Sequence, residues 1–179
     1  QTFYEGFKRT VADENSHQKA YISDPFGRLT QVEEYAGTHP NATLYATTRY
    51  DYDVQDRLSV VTDTKGITTS MAYDGLGRKI GMRDPDLGTW SYEYDNAGNV
   101  TRLVDAAGEC ICFGYDIHNR LIRKDYGCDR NPETGANVEV TYRYDGTDLV
   151  GEIGRLTTMT DPSGTTDWRY DLRGRVLTE

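Results

Sequence analysis

No stretch of this 179-residue chain approaches the roughly 20 consecutive apolar residues of a membrane-spanning helix, and no run or stripe of basic residues is present. The first absence argues against membrane insertion. The second, joined to a formal net charge of −9, argues against nucleic acid, because such binders draw most of their affinity from Lys and Arg neutralising phosphates. Leucine-rich and valine-rich segments are also scarce, and mean hydropathy is −0.73. Neither a signal peptide nor an initiator Met stands at Gln1, so the chain reads as an excised piece of something longer.

Cysteine and histidine are few. Cys110 and Cys112 are alternate residues of one strand-like stretch, which places them poorly to bond each other and lacks the two-residue spacing of a zinc or thioredoxin pair. Cys128, in a predicted loop, reaches one of them only if the strands pair suitably; the reading at this stage is three free or incidental thiols. His17, His39 and His118 lie in separate contexts without an adjacent second ligand, so no metal site and no cofactor is expected. "DPD" at Asp84 to Asp86 lacks the further oxygen ligands of a calcium loop. Asn41 and Asn99 begin glycosylation-type triplets, which matter only in a eukaryotic secretory host.

What the chain does have is tyrosine, 14 residues against 4 Phe and 2 Trp. Disordered segments are poor in aromatics, so the polarity here is not that of disorder. A large ring with a polar tip suits a sheet that is wet on at least one face.

The tyrosines are phased. Tyr-Asp dipeptides begin at Tyr52, Tyr73, Tyr94 and Tyr115, each step being 21 residues, and return at Tyr144 and Tyr170 after steps of 29 and 26. "SDPFGRL" at Ser23 is an earlier copy, and "YEGFKR" at Tyr4 a degraded one. Within the unit an Asp is commonly followed three residues later by Gly: Asp74/Gly77, Asp95/Gly98 and Asp171/Gly174, and between dipeptides Asp63/Gly66 and Asp105/Gly108. That is turn chemistry, with the carboxylate accepting downstream N–H groups and Gly supplying a positive φ. Asp56 and Asn119 stand at the Gly position in two copies, and both residue types tolerate that conformation. Between turns, "TWSYEYD" puts Trp90, Tyr92 and Tyr94 on one face and Ser91 and Glu93 on the other, the period of a strand.

The expected fold is therefore all-β: an antiparallel meander of tandem repeats of about 21 residues with almost no helix. Residues 1–20 form a degenerate repeat or lead-in, and residues 21–179 one continuous repeat module. One unit buries one or two rings, about 4–6 kcal/mol each, against an ordering cost of about 30 kcal/mol for 21 residues. Units must stack to fold.

The phased Y-D-x-x-G-R-L motif resembles the YD-repeat, or rearrangement-hotspot (Rhs), proteins, which include bacterial Rhs toxins, shell proteins of insecticidal toxin complexes and teneurins. The resemblance covers about residues 20 to 179. It implies a sheet that curves or spirals into part of a hollow β-shell, enclosing or presenting a C-terminal effector or toxin domain of a secreted or surface, bacterial protein. Nothing in the chain matches the core segment or toxin domain that follows such repeats, and the sequence ends on a repeat, "YDLRGRVLTE".

A phenol, a carboxylate and a guanidinium recur within each unit, but an enzyme site is a single constellation in one cleft. Repetition points to structure. Tyr52, Asp53, Arg57, Tyr73, Asp74, Gly77, Arg78, Tyr94, Asp95, Gly98, Tyr115, Asp116, Arg120, Tyr144, Asp145, Tyr170, Asp171, Gly174 and Arg175 are taken as structural repeat residues, and no residue as catalytic. Asp makes the turn, Tyr packs, and Arg pairs with carboxylates or covers a neighbouring ring. The partners expected are the rest of the parent chain and its enclosed domain. The alternative is a surface recognition module for carbohydrate or protein, carried by the aromatic strands and by the insertions before Tyr52, before Tyr144 and after Asp145. An isolated segment is also expected to self-associate through its strand edges.

Overall fold

In a computed structural model, residues 2–15, 17–37, 41–128, 138–146 and 150–178 are described. His39, most of the insertion before Tyr144 and part of that after Asp145 lie outside the described residues. The described residues form strands joined by tight turns, with a single 3-10 turn at Val150–Glu152. The strands run as antiparallel meanders in sequence order.

Two compact units divide the chain, Gln1–Thr89 and Trp90–Glu179. The first holds β1 (Thr2–Glu5), β2 (Lys8–Ala12), β3 (Gln18–Ser23), β4 (Leu29–Ala36), β5 (Thr43–Tyr52), β6 (Leu58–Thr62), β7 (Thr68–Tyr73) and β8 (Lys79–Asp84). From β9 (Gly88–Tyr94) onward, the second holds β10 (Val100–Val104), β11 (Cys110–Tyr115), β12 (Leu121–Tyr126), β13 (Val138–Tyr144), β14 (Leu156–Asp161) and β15 (Gly164–Asp167). A separate hairpin, β16 (Arg169–Tyr170) and β17 (Val176–Thr178), follows. β1 and β2, from the lead-in stretch, pair with each other, and β2 pairs with β3.

Two kinds of hairpin alternate. At the Tyr-Asp turns the register shifts by one residue: Asp51 faces Val60 but Tyr52 faces Leu58, and Ala72 faces Gly81 but Tyr73 faces Lys79. The same shift recurs beside Ser23, Tyr115, Tyr144 and Tyr170. The extra residue, Ser59 or Ile80 in these examples, lies on the outgoing strand, so each such turn carries a β-bulge that increases local twist. The Asp63 and Asp105 turns keep register, with Thr62 facing Thr68 and Val104 facing Cys110.

Little is deeply buried. Among the described residues the buried apolar side chains are Ala20, Cys110 and Cys112. β9 alternates as its sequence predicts, with Trp90, Tyr92 and Tyr94 half-buried and Ser91 and Glu93 exposed. Every residue of β6 and β10 is half-buried. Such a sheet cannot rest on an oily core. Its polar groups have to carry specific bonds between neighbouring hairpins.

Candidate functional site: a ladder of Tyr, Asp and Arg between repeats

The ladder is built from the turn outward. Asp74 Oδ1 accepts the backbone N–H of Leu76 at 2.9 Å and of Arg78 at 2.9 Å, while Oδ2 accepts Arg78 Nε at 2.6 Å. The Asp74 N–H donates to the Arg78 carbonyl at 2.9 Å, and the Gly77 N–H to the Asp74 carbonyl at 3.1 Å. Asp24/Arg28, Asp53/Arg57, Asp116/Arg120 and Asp171/Arg175 repeat this arrangement. At Asp95 the substitute Asn99 supplies both bonds, from its N–H at 2.8 Å and its Nδ2 at 2.9 Å.

The third residue after each Asp takes a left-handed backbone: φ is 84° at Gly77, 93° at Gly98 and 78° at Gly174. Asp56 and Asn119 hold the same position at 62° and 61°, as their residue types allow. The carboxylates sit below their ordinary range. For Asp74, Asp116 and Asp171 the leading cause is the backbone N–H of the residue four on, and for Asp95 the Asn99 side chain. For Asp24 and Asp53 desolvation is the largest effect and opposes ionisation, but the combined bonds from Arg28 and Arg57 and their neighbours outweigh it.

Five of the dipeptide tyrosines reach back to the previous Tyr-Asp turn. Tyr52 donates to the Leu29 carbonyl at 2.8 Å, Tyr73 to Leu58 at 2.8 Å, and Tyr115 to Val100 at 3.0 Å. Tyr144 donates to Leu121 at 3.0 Å and Tyr170 to Leu156 at 2.7 Å. The acceptor is always the residue after the Arg, or after Asn99, of the preceding turn. That same Arg covers the ring: Arg28 over Tyr52 at 5.0 Å, Arg57 over Tyr73 at 4.8 Å, Arg120 over Tyr144 at 4.5 Å and Arg155 over Tyr170 at 5.4 Å. Burial pushes the Tyr115 and Tyr144 phenols up, keeping them neutral donors.

The Arg also touches the next turn. Arg57 Nη1 donates to the Asp74 carbonyl at 2.9 Å, Arg120 Nη2 to Asp145 Oδ2 at 2.6 Å, and Arg28 Nη1 to Asp56 Oδ1. Asn99 does likewise to Asn119 Oδ1 at 3.0 Å, so its amide is engaged twice. Arg120 leads in holding Asp145 down to about 2. One guanidinium thus binds its own carboxylate, covers the next tyrosine and bonds the next turn. These groups bond one another from turn to turn.

Sequence reasoning placed the Asp, Gly, Tyr and Arg residues but missed their acceptors, the carbonyls of Leu29, Leu58, Val100, Leu121 and Leu156. It also missed Arg155, which serves Asp145 from ten residues away because an insertion separates them. The fixed Gly-Arg-Leu tail was the available signal. Asp84 is spent on a turn, accepting the N–H of Asp86 at 2.9 Å and of Leu87 at 2.9 Å. His17 faces Asp13 at 3.2 Å, and the His118 N–H bonds Asp116 at 2.8 Å.

The cysteines depart from the incidental thiols expected. The β11–β12 pairing carries Cys128 back over β11, where its Sγ lies within bonding distance of both Cys110 Sγ and Cys112 Sγ. One sulfur forms one disulfide, so Cys110–Cys128 and Cys112–Cys128 are alternatives.

The RHS Repeat family model matches residues 52–89, 73–109 and 152–179, segments that carry the Tyr52, Tyr73, Tyr94 and Tyr170 turns. The chain is a YD-repeat segment of the Rhs family. This Rhs segment is 32% identical over 142 residues to the probable deoxyribonuclease RhsB of Dickeya dadantii (strain 3937), a match covering 74% of the chain and 8% of that relative. It is 30% identical over 122 residues to Teneurin-m of Drosophila melanogaster, covering 65% of the chain and 4% of the relative. The crystal structure of TcdB2-TccC3 without its hypervariable C-terminal region superposes with a TM-score of 0.80 at 18% identity, over 99% of the segment and 10% of that chain. The TcdB2-TccC3-Cdc42 structure does so with a TM-score of 0.79 at 18% identity, over 99% and 10%. At that identity the likeness speaks for the fold. The Rhs segment spans a tenth or less of each of these relatives.

Proposed function

We propose that this Rhs segment is a non-enzymatic stretch of wall in a β-shell that encloses or presents a C-terminal effector or toxin domain of a larger secreted or surface protein. One observation carries the reading: within each unit the Tyr, Asp and Arg groups are engaged in joining one Tyr-Asp turn to the next. A wall wet on both faces needs such polar rungs, because it has little core to bury. The fold shared with TcdB2-TccC3 chains supports the same reading. In the full-length parent polypeptide, limited proteolysis should leave a downstream domain intact until the shell is denatured. A parent gene without a downstream domain, or a domain digested at once, would sink it.

A second reading, recognition of carbohydrate or protein, draws on exposed rings: Tyr4, Phe7 and Tyr45 are 75%, 62% and 72% exposed. Tyr4, Phe7, Arg9 and Tyr21 line a shallow recess near the first hairpin. Glycan-array binding that is lost in Tyr4→Ala and Tyr45→Ala would favour it over a passive wall.

A further inference from the structure

Cys110 and Cys112 are two of the three buried apolar side chains among the described residues, and they point to the same face of β11. The third sulfur arrives by a left-handed turn. Gly127 and Cys128 have φ of 104° and 51°, and the Gly127 N–H anchors to the Cys110 carbonyl at 2.6 Å. The Cα atoms of Cys110 and Cys128 are then 5.7 Å apart, and those of Cys112 and Cys128 5.2 Å. All three sulfurs lie within 4.8 Å of one another.

A second observation at the same place points to a ligand. Asp125 sits directly opposite Cys112 in the β11–β12 register and therefore on its face of the sheet. Its side chain belongs to a residue only 6% exposed, and its Oδ1 has no hydrogen-bond partner. A buried carboxylate oxygen without a partner is costly. On the other side Arg102, opposite Cys112 on β10, donates from Nε to Cys110 Sγ at 3.2 Å and from Nη1 to Glu93 at 3.0 Å. When that sulfur is reduced, a guanidinium at that distance favours its thiolate form.

We propose that Cys110, Cys112 and Cys128 form a site for one thiophilic divalent cation of the zinc and cadmium class, faced across the β11–β12 pair by Asp125, whose carboxylate lies outside the 4.8 Å sulfur cluster. A disulfide to Cys128 occupies two sulfurs and leaves the third outside it and the Asp125 Oδ1 without a partner. A cation with metal–sulfur bonds of about 2.3 Å needs the three sulfurs to open from bonding distance to about 4 Å, and the Asp125 carboxylate to swing toward its fourth position. Three thiolates and a carboxylate overcompensate a divalent charge, and Arg102 stands beside them to offset the excess. The cation staples β11 to the end of β12 where the sheet has little else to bury, the role structural metals play in small cores. This site does not depend on the shell reading.

The test uses the 179-residue chain, reduced with a phosphine and desalted under nitrogen, titrated with cadmium and, in parallel, cobalt(II). Sulfur-to-metal charge-transfer absorption should saturate at one equivalent per chain and raise the thermal midpoint. Cys128→Ser alters a loop residue and Asp125→Asn is isosteric, so both should keep the strand signature in circular dichroism. Cys128→Ser should weaken binding more than 100-fold, and Asp125→Asn about 10- to 100-fold. A reduced chain that takes up no stoichiometric cadmium overturns the proposal. So does equal binding by Cys128→Ser, which marks an adventitious ion only. If Asp125→Asn binds as tightly as the parent, the carboxylate is removed from the site.

Discussion

Tyr73 donates its hydroxyl to the Leu58 carbonyl at 2.8 Å, and Arg57, the residue before Leu58, lies 4.8 Å from the centre of the same ring. The two residues at the end of one turn thus grip the first residue of the next. Removing the hydroxyl alone with Tyr73→Phe should cost about 0.5–1.5 kcal/mol, at the low end because the ring is half-buried. Pairing it with Arg57→Ala in a double-mutant cycle adds little, whereas Tyr73→Leu with Arg57→Ala should show coupling of about 0.5–1 kcal/mol. Urea unfolding measures both. Zero coupling would mean that ring and guanidinium are only neighbours.

Glycine is required at one turn position and not at the one two residues earlier. Gly77 has a φ of 84°, and a Cβ there meets only the Arg57 side chain, at an ordinary 3.9 Å. Gly77→Ala should therefore cost about 1–2 kcal/mol from backbone conformation alone. Gly75 has no such φ and open space around it, so Gly75→Ala should stay within about 0.5 kcal/mol. Equal effects in urea melts would remove the left-handed turn from the account.

Acid should loosen the ladder in a defined window. The turn carboxylates have folded pKa values below their unfolded ones, so the stability they contribute is complete above about pH 4. It is lost as pH falls through the folded values, about 2 for Asp145. Denaturation midpoints should be level from pH 7 to 5 and fall between pH 4 and 2, less steeply in Asp145→Asn. A midpoint unchanged down to pH 2 would contradict the assignment.

β1 and β15 are the end members of the sheet order, so an isolated segment offers two strand edges for pairing. Sedimentation velocity over a hundredfold range of concentration should show mass rising with concentration. A constant monomer mass would refute edge pairing.

Much of this ladder is legible in one sequence because its turns are local. An Asp bonding the N–H groups two and four residues on, and a Gly three on at positive φ, leave their spacing in the chain. Asp56 and Asn119 were readable as left-handed for the same reason. The Tyr73-to-Leu58 bond spans 15 residues and Tyr52-to-Leu29 spans 23, a separation that insertions change freely. Such bonds depend on strand register, which a one-residue bulge at each Tyr-Asp turn resets. Cys128 is the sharper lesson. Its meeting with Cys110 and Cys112 follows from Ile111 facing Tyr126 in the β11–β12 register, and no spacing rule encodes that.

The claim at the centre, that these rungs hold a wall around something else, is tested most directly in the full-length parent. Tyr73→Ala and Tyr115→Ala together remove two rungs, one from each unit, without touching any downstream domain. Limited proteolysis should leave that domain protected in the parent and cleave it in the double variant under identical conditions. Equal cleavage in both, or equal protection in both, would contradict the account.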